Sequence, residues 1–183
     1  MNLLPTTLPG VLIVEPKIFP DPRGFFLETY NRVRYQEAGI GCEFMQDNLS
    51  ASKKGTLRGL HYQYPNAQAK LVQVIQGEVF DVAVDIRKGS PTFGKWTGVL
   101  LSADNKRQLF IPQGFAHGFC VLSETAIFNY KCSDFYAPQH EHGILWSDPA
   151  IHIDWPVANP ILSPKDRAYP VLKEILDKDL PSI

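Results

Sequence analysis

The chain has 183 residues, the size of one domain with a substantial apolar core. Its 18 basic and 19 acidic side chains leave a net charge of −1, which supplies no basic field for holding a nucleic acid or an anionic membrane. Hydrophobic residues make up 44% but run only a few at a time, far short of the ~20 that a spanning helix requires. The N-terminus lacks the basic head and apolar stretch of a secretory signal, so a cytoplasmic protein is expected. Cys42, Cys120 and Cys132 are odd in number and form no CxxC pair, and they read as core packing rather than as a disulfide framework or a zinc site.

Along the chain, 13 glycines and 15 prolines are spread throughout, the punctuation of many short elements. Strands are expected at residues 11–14, 25–30, 43–50, 57–63 and 71–76, and again at 79–87, 96–101, 108–111, 118–122 and 125–132. The pattern is plainest at 79–87, where Phe80, Val82, Val84 and Ile86 share one face and Asp81, Asp85 and Arg87 the other, as in a half-buried antiparallel strand. Helical signal is confined to 32–37, closed by Gly39, and to a segment from Ser163 to about Lys178. There Ser163 is the N-cap, Pro164 takes the first helical position, Asp166 the third, and Pro170 breaks the segment into two short pieces. Many short strands and little helix predict an all-β sandwich or barrel. No repeat, heptad, Walker loop or GxGxxG occurs, so a nucleotide cofactor held in the α/β manner is not expected.

His61 follows Arg58-Gly59-Leu60, and Lys70 heads the next apolar run. A lone strand histidine is ordinarily a hydrogen-bonded core residue. If the two strands pair, however, Arg58, His61 and Lys70 together offer an anion contact, a base, and a cation for an oxyanion. Arg58 and His61 differ by three and point to opposite faces of a regular strand. Gly59 either permits a bulge that returns both to one side, or merely fits a crowded corner while Arg58 faces solvent. On 125–132, Ala126, Phe128, Tyr130 and Cys132 share a face. Tyr130 is then either a core phenol with a satisfied hydroxyl or a proton donor facing a base across a cavity. Asp166 suits the helix dipole and could also reach a histidine nitrogen.

The stretch Pro112-Gln113-Gly114-Phe115-Ala116-His117-Gly118-Phe119 is a PxGxxHxF pattern, a tight turn leading into a strand, and it resembles the second half-motif of the cupin superfamily. Metal-binding cupins supply HxH from the first half-motif. Here the matching residues are His61-Tyr62-Gln63, from which a three-histidine site cannot be assembled, so no metal is expected.

Further stretches complete a more specific pattern: Pro22-Arg23-Gly24-Phe25-Phe26-Leu27-Glu28, Gln46-Asp47-Asn48-Leu49-Ser50, Leu57-Arg58-Gly59-Leu60-His61, Lys70-Leu71-Val72, the run from Gly77 to Arg87, and Leu162-Ser163-Pro164-Lys165-Asp166. In this order, from about residue 11 to 170, the chain resembles the dTDP-4-dehydrorhamnose 3,5-epimerase family. The resemblance implies a cupin-type jelly-roll barrel with a few short peripheral helices, one domain over residues 1–183, without metal or cofactor. It also implies a homodimer with an interface drawn partly from the N-terminal third, and a dTDP-linked 4-keto-6-deoxy sugar as substrate. On the matching positions, His61 is the base, Asp166 its carboxylate partner, Tyr130 the acid, and Lys70 the cation beside the C4 carbonyl. Nucleotide-sugar contacts fall on Arg23, Phe26, Glu28, Gln46, Asn48, Arg58, His117, Tyr136, Glu141 and Lys165, with Arg58 and Lys165 suited to diphosphate. Siblings that invert one carbon, a metal-dependent cupin and a carbohydrate-binding jelly roll are the competing readings. His140 and His142, in residues 137–142, depart from the family pattern and are expected on a solvent-exposed loop.

Overall fold

Side chains that alternate between apolar and polar lay one strand against the next, and the computed structural model, which describes residues 1–183, is built almost wholly from such pairs. The first strands are β1 (Asn2–Pro5), β2 (Leu12–Glu15), β3 (Ile18–Asp21) and β4 (Gly24–Leu27), followed by helix α1 (Arg32–Glu37). Then come β5 (Gln46–Lys53), β6 (Leu57–Gln63), β7 (Lys70–Gln76), β8 (Glu78–Asp85) and β9 (Trp96–Ser102). The chain continues with β10 (Gln108–Ile111), β11 (Phe115–Val121), β12 (Thr125–Cys132), β13 (Glu141–Gly143) and helix α2 (Pro164–Ala168). A six-stranded sheet runs β1-β2-β10-β7-β12-β5, a five-stranded sheet β13-β6-β11-β8-β9, and β3-β4 stand apart as a hairpin. The two sheets face one another as a mostly-β, cupin-like jelly roll; no ladder closes one onto the other.

The largest core cluster lies between the sheets: Val72, Val74, Ala126 and Phe128 from one wall meet Val79, Ala83, Phe119 and Val121 from the other. A second cluster covers the outside of the five-stranded sheet, where Leu60, Val82, Val84, Ile86 and Ala116 are sealed by Ile144, Ile151, Leu172 and Leu180. A third sets Tyr35 of α1 and Ile40 against Val14, Leu71 and Phe110. β8 is therefore buried on both faces, which corrects the half-buried reading. Asp81 and Asp85 are both fully buried, turned away from the outer cluster rather than toward water. Cys120 and Cys132 are buried and Cys42 packs beside the third cluster, all with free thiols.

Strands at 57–63, 108–111 and 125–132 end where the alternation ends. β1, β3 and β13 lack such a signal, being three or four residues long and mostly exposed or half-buried. The C-terminal helix is short because the residue before a proline is pushed out of the helical region. Tyr169 is accordingly extended, at φ −65° and ψ 146°, and only two 3-10 turns come after it.

A bulge shapes the inner wall of the five-stranded sheet. Along β6 and β11 the register passes from His61 opposite His117 to Arg58 opposite Phe119, three residues against two. The extra residue on β6 returns Arg58 and His61 to one face. Gly59 permits this: its φ is +126°, and a Cβ there would lie 2.5 Å from Gly118 Cα and 2.8 Å from the His117 carbonyl oxygen. No larger residue fits between the two backbones.

Candidate active site

Between the sheets, above the main core, lies a cavity of about 300 Å3 lined by Gln46, Asn48, His61, Tyr62, Gln63, Gln68, Lys70, Tyr130, Cys132, Tyr136 and Glu141. The six-stranded wall contributes two rows of paired residues, Gln46–Cys132–Lys70 and Asn48–Tyr130–Val72. The five-stranded wall contributes His61. The imidazole and the phenol therefore stand on opposing sheets across one cavity.

His61 is oriented from behind. Its Nε2 donates to Asp166 Oδ1 at 2.6 Å, which leaves the Nδ1 lone pair as the basic position. Asp166 is only 3% exposed. Its backbone N–H donates to the Ser163 hydroxyl at 3.0 Å, so the N-cap that starts α2 also seats the carboxylate. Burial alone would raise the Asp166 pKa. The bonds to His61 and Ser163 outweigh burial and hold it below the ordinary carboxylate range.

Tyr130 makes no hydrogen bond within the protein, and burial pushes its pKa up, with Arg58 opposing, so the phenol stays protonated at neutral pH. Lys70 likewise has no acceptor or carboxylate partner, and burial pulls its pKa down despite the fields of Cys132, Asp81 and Glu141. Glu141 accepts from Tyr136 Oη at 2.6 Å and from Lys165 Nζ. These bonds overcome burial and keep its pKa low. The Tyr136 N–H donates to Gln46 Oε1 at 2.9 Å, joining the 134–137 segment to β5. Arg58 crosses to β5, where Nε donates to Ser52 Oγ at 3.0 Å.

Of the residues expected at the site, His61, Lys70, Tyr130, Gln46, Asn48, Tyr136 and Glu141 line this cavity, while Asp166, Lys165 and Arg58 touch or flank them. His117 is one layer down, buried opposite His61, with Nε2 donating to both oxygens of Asp81 at 3.0 Å. Burial there disfavours charge on either partner, raising Asp81 and lowering His117. Arg23, Phe26 and Glu28 are on or beside the β3-β4 hairpin and do not line the cavity of their own chain. Arg23 pairs with Asp21, Phe26 is 68% exposed, and Glu28 bonds Asn31 and Arg34.

His142 is not on a loop: it lies in β13, stacked on Tyr62 with ring centroids 5.3 Å apart, and Nε2 donates to the Tyr64 carbonyl at 3.0 Å. His140 ends a 3-10 turn and bonds Asn66. Tyr62, Gln63, Gln68 and Cys132 line the cavity without having been expected at the site, and Asp81 holds His117 behind it. For Cys132 the shared face with Tyr130 was the available signal. No group of three or more His, Cys, Asp or Glu side chains is arranged to hold a metal ion.

The model of the dTDP-4-dehydrorhamnose 3,5-epimerase family matches residues 5–174. The chain belongs to that family. A Shigella flexneri protein named dTDP-4-dehydrorhamnose 3,5-epimerase is 64% identical over 168 residues, covering 91% of this chain and 93% of that one. The crystal structure of a Legionella pneumophila dTDP-6-deoxy-D-glucose-3,5-epimerase, in complex with dTDP-4-keto-L-rhamnose, superposes with a TM-score of 0.97 at 55% identity. That match covers 100% of this chain and 98% of that one. A Streptomyces niveus relative named dTDP-4-dehydrorhamnose 3-epimerase is 42% identical, over 98% of this chain and 88% of its own length. Relatives named as double and as single epimerases thus both lie within reach of this sequence.

Proposed function

We propose that the protein inverts C3 and C5 of dTDP-4-dehydro-6-deoxy-D-glucose to give dTDP-4-dehydro-L-rhamnose. The carrying observation is one cavity with an oriented imidazole on one sheet and an unpaired phenol and ammonium on the other. The C4 ketone acidifies the hydrogens on both neighbouring carbons. His61 Nδ1 takes such a proton, and the C–H electron pair passes through the enolate onto O4, where the Lys70 ammonium stabilises it. Tyr130 Oη then returns a proton to the opposite face of the same carbon, inverting it. Both side chains recover their starting protonation by exchange with water before the second carbon reacts. Arg58 and Lys165 are assigned to the diphosphate, and Gln46, Asn48, Tyr136 and Glu141 to the nucleotide and sugar. Support comes from the Legionella relative, crystallised with dTDP-4-keto-L-rhamnose.

The test is to incubate dTDP-4-dehydro-6-deoxy-D-glucose with the protein in D2O, trap the product with a 4-keto reductase, and read it by NMR. Deuterium at both C3 and C5 with an L-rhamno product is expected. Deuterium at C3 alone would replace this reading by the single-carbon activity named for the Streptomyces niveus relative. No exchange at either carbon, in folded protein, would leave only sugar-nucleotide binding.

The working unit we propose is a homodimer of single-domain chains. Phe19, Phe25 and Phe26 are 47%, 58% and 68% exposed on the β3-β4 hairpin, an apolar surface that a second copy would cover. The same contact would deliver Arg23, Phe26 and Glu28 to the partner's cavity. Sedimentation at one protomer mass would refute it. We assign the reaction to the cytoplasm and its product to cell-surface polysaccharide synthesis; no helix is long and apolar enough to cross a membrane.

A further inference from the structure

Gly143, on the edge strand β13, pairs directly with His61, so the position beside the imidazole carries no side chain of its own. The ring of Tyr169 fills that slot. A Cβ built on Gly143 would fall 2.3 Å from Tyr169 Cε2, 2.4 Å from Cζ and 2.5 Å from Cδ2. From there the ring meets the His61 imidazole edge to face, with centroids 5.8 Å apart and planes at 68°. The Tyr169 hydroxyl is buried and bonds to nothing, so the flat ring is what this contact uses. The ring is held in place by its backbone: Tyr169 leaves α2 extended, and the next carbonyl, of Pro170, accepts from Leu145 N–H at 2.8 Å.

Asp166 and Tyr169, three residues apart, thus reach one imidazole from two directions. A hydrogen bond at Nε2 fixes where that nitrogen points but leaves the ring free to rock about the bond. Rocking swings Nδ1, the atom that must face the substrate, across the cavity. A flat ring packed against the imidazole removes that freedom. We propose that Tyr169 is a positioning residue for His61, its aromatic ring completing, with Asp166, a two-point clamp on the imidazole, and that Gly143 is glycine to admit it. The proposal rests on the reading of His61 as the base.

The test compares Tyr169→Phe with Tyr169→Leu in the whole protein. The readouts are kcat, KM, deuterium uptake by the keto sugar, and the NMR resonance of the His61 Nε2 proton, identified by its loss in Asp166→Asn. Tyr169→Phe keeps the ring and is expected to retain the wild-type rate and a sharp resonance. Tyr169→Leu is expected to lose roughly 10- to 100-fold in kcat and in deuterium uptake at little change in KM, with the resonance broadened and the melting transition still cooperative. Should the leucine variant not fold, Tyr169→Met, apolar and without a flat ring, carries the same expectation. Wild-type deuterium uptake and a sharp resonance in the leucine or methionine variant would overturn the proposal. So would a phenylalanine variant as impaired as leucine, because that outcome credits the hydroxyl. If the wild-type protein takes up no deuterium, the functional reading fails on its own account, and the resonance still decides whether Tyr169 holds the ring.

Discussion

Lys70 is the only cationic side chain among the cavity-lining residues that has no partner of its own, and Lys70→Met separates its service to catalysis from its cost to the fold. Its side chain, half-buried at the head of β7, turns its ammonium into the cavity without a protein acceptor. Methionine has nearly the same length and no charge to desolvate. A charged donor partly withdrawn from water without a partner costs up to roughly 1–3 kcal/mol. At about 2–4 °C per kcal/mol for a chain of this size, the variant should melt several degrees above wild type at pH 7. The pH dependence comes from the direction of the shift. The folded pKa lies below the unfolded value, so protonated Lys70 opposes folding below the folded pKa. That penalty fades as pH rises through the folded pKa toward the unfolded value of about 10.4. The gap between variant and wild type should therefore be widest near neutrality and close in alkali. Meanwhile kcat should fall by about 10²–10³-fold, the usual cost of removing an oxyanion partner. Calorimetry from pH 7 to 10, with turnover measured on the same samples, decides the matter. A methionine variant that melts at or below wild type at pH 7, or a gap indifferent to pH, would refute the reasoning.

Tyr130→Phe should leave deprotonation and block return from the other face, so deuterium uptake outlasts product formation; equal loss of both would place Tyr130 elsewhere in the reaction. Asp166→Asn should cut kcat with a smaller effect on KM. Because the folded pKa of Asp166 is lowered, its contribution to stability is present above the unfolded value of about 3.9 and is lost as pH falls through the folded pKa. The melting difference between wild type and Asp166→Asn, clear at pH 7, should therefore shrink in acid, and a difference constant with pH would contradict the assignment. Gly59→Ala must place a Cβ 2.5 Å from Gly118 Cα, and should destabilise by roughly 1–3 kcal/mol while turnover drops as His61 shifts. Unchanged melting and turnover would show that the bulge does not set the wall.

What the period of two can carry was legible: the ends of three strands, the inward face of Tyr130 and Cys132, and the need for something unusual at Gly59. What it cannot carry is which face of a strand meets water. Asp81 and Asp85 looked like a wet face of β8, yet each is buried with a partner inside the fold. Asp81 meets His117, and Asp85 accepts from Arg87 at 2.9 and 2.7 Å and from Ser90 and Thr92 at 2.6 Å each. Those bonds outweigh burial and hold the Asp85 pKa down at about 2. Alternation records polarity, and an internal partner produces the same letters as solvent. The dyad of His61 with Asp166 joins residues 105 apart: the residues alone allowed Asp166 to reach a histidine, and only the family pattern said which one. Tyr169 had no such cue, because its role depends on a missing Cβ at Gly143, on another strand.

Gln63 shows how a cupin frame could serve the proposed proton transfer. It stands where metal-binding cupins place the second histidine of HxH, and its amide is fully used by the backbone of neighbouring loops. Nε2 donates to the Asn66 and Phe135 carbonyls at 2.6 and 3.1 Å, and Oε1 accepts from the Ala137 N–H at 2.8 Å. A neutral imidazole has one donor and one acceptor and could not make all three. The same amide thus anchors the segment that carries Tyr136 to the cavity mouth. A histidine that ligates a metal has given up the lone pair a base needs. With Gln63 tied to the loops and Asp166 holding Nε2, His61 keeps Nδ1 free for the proton transfer proposed for it.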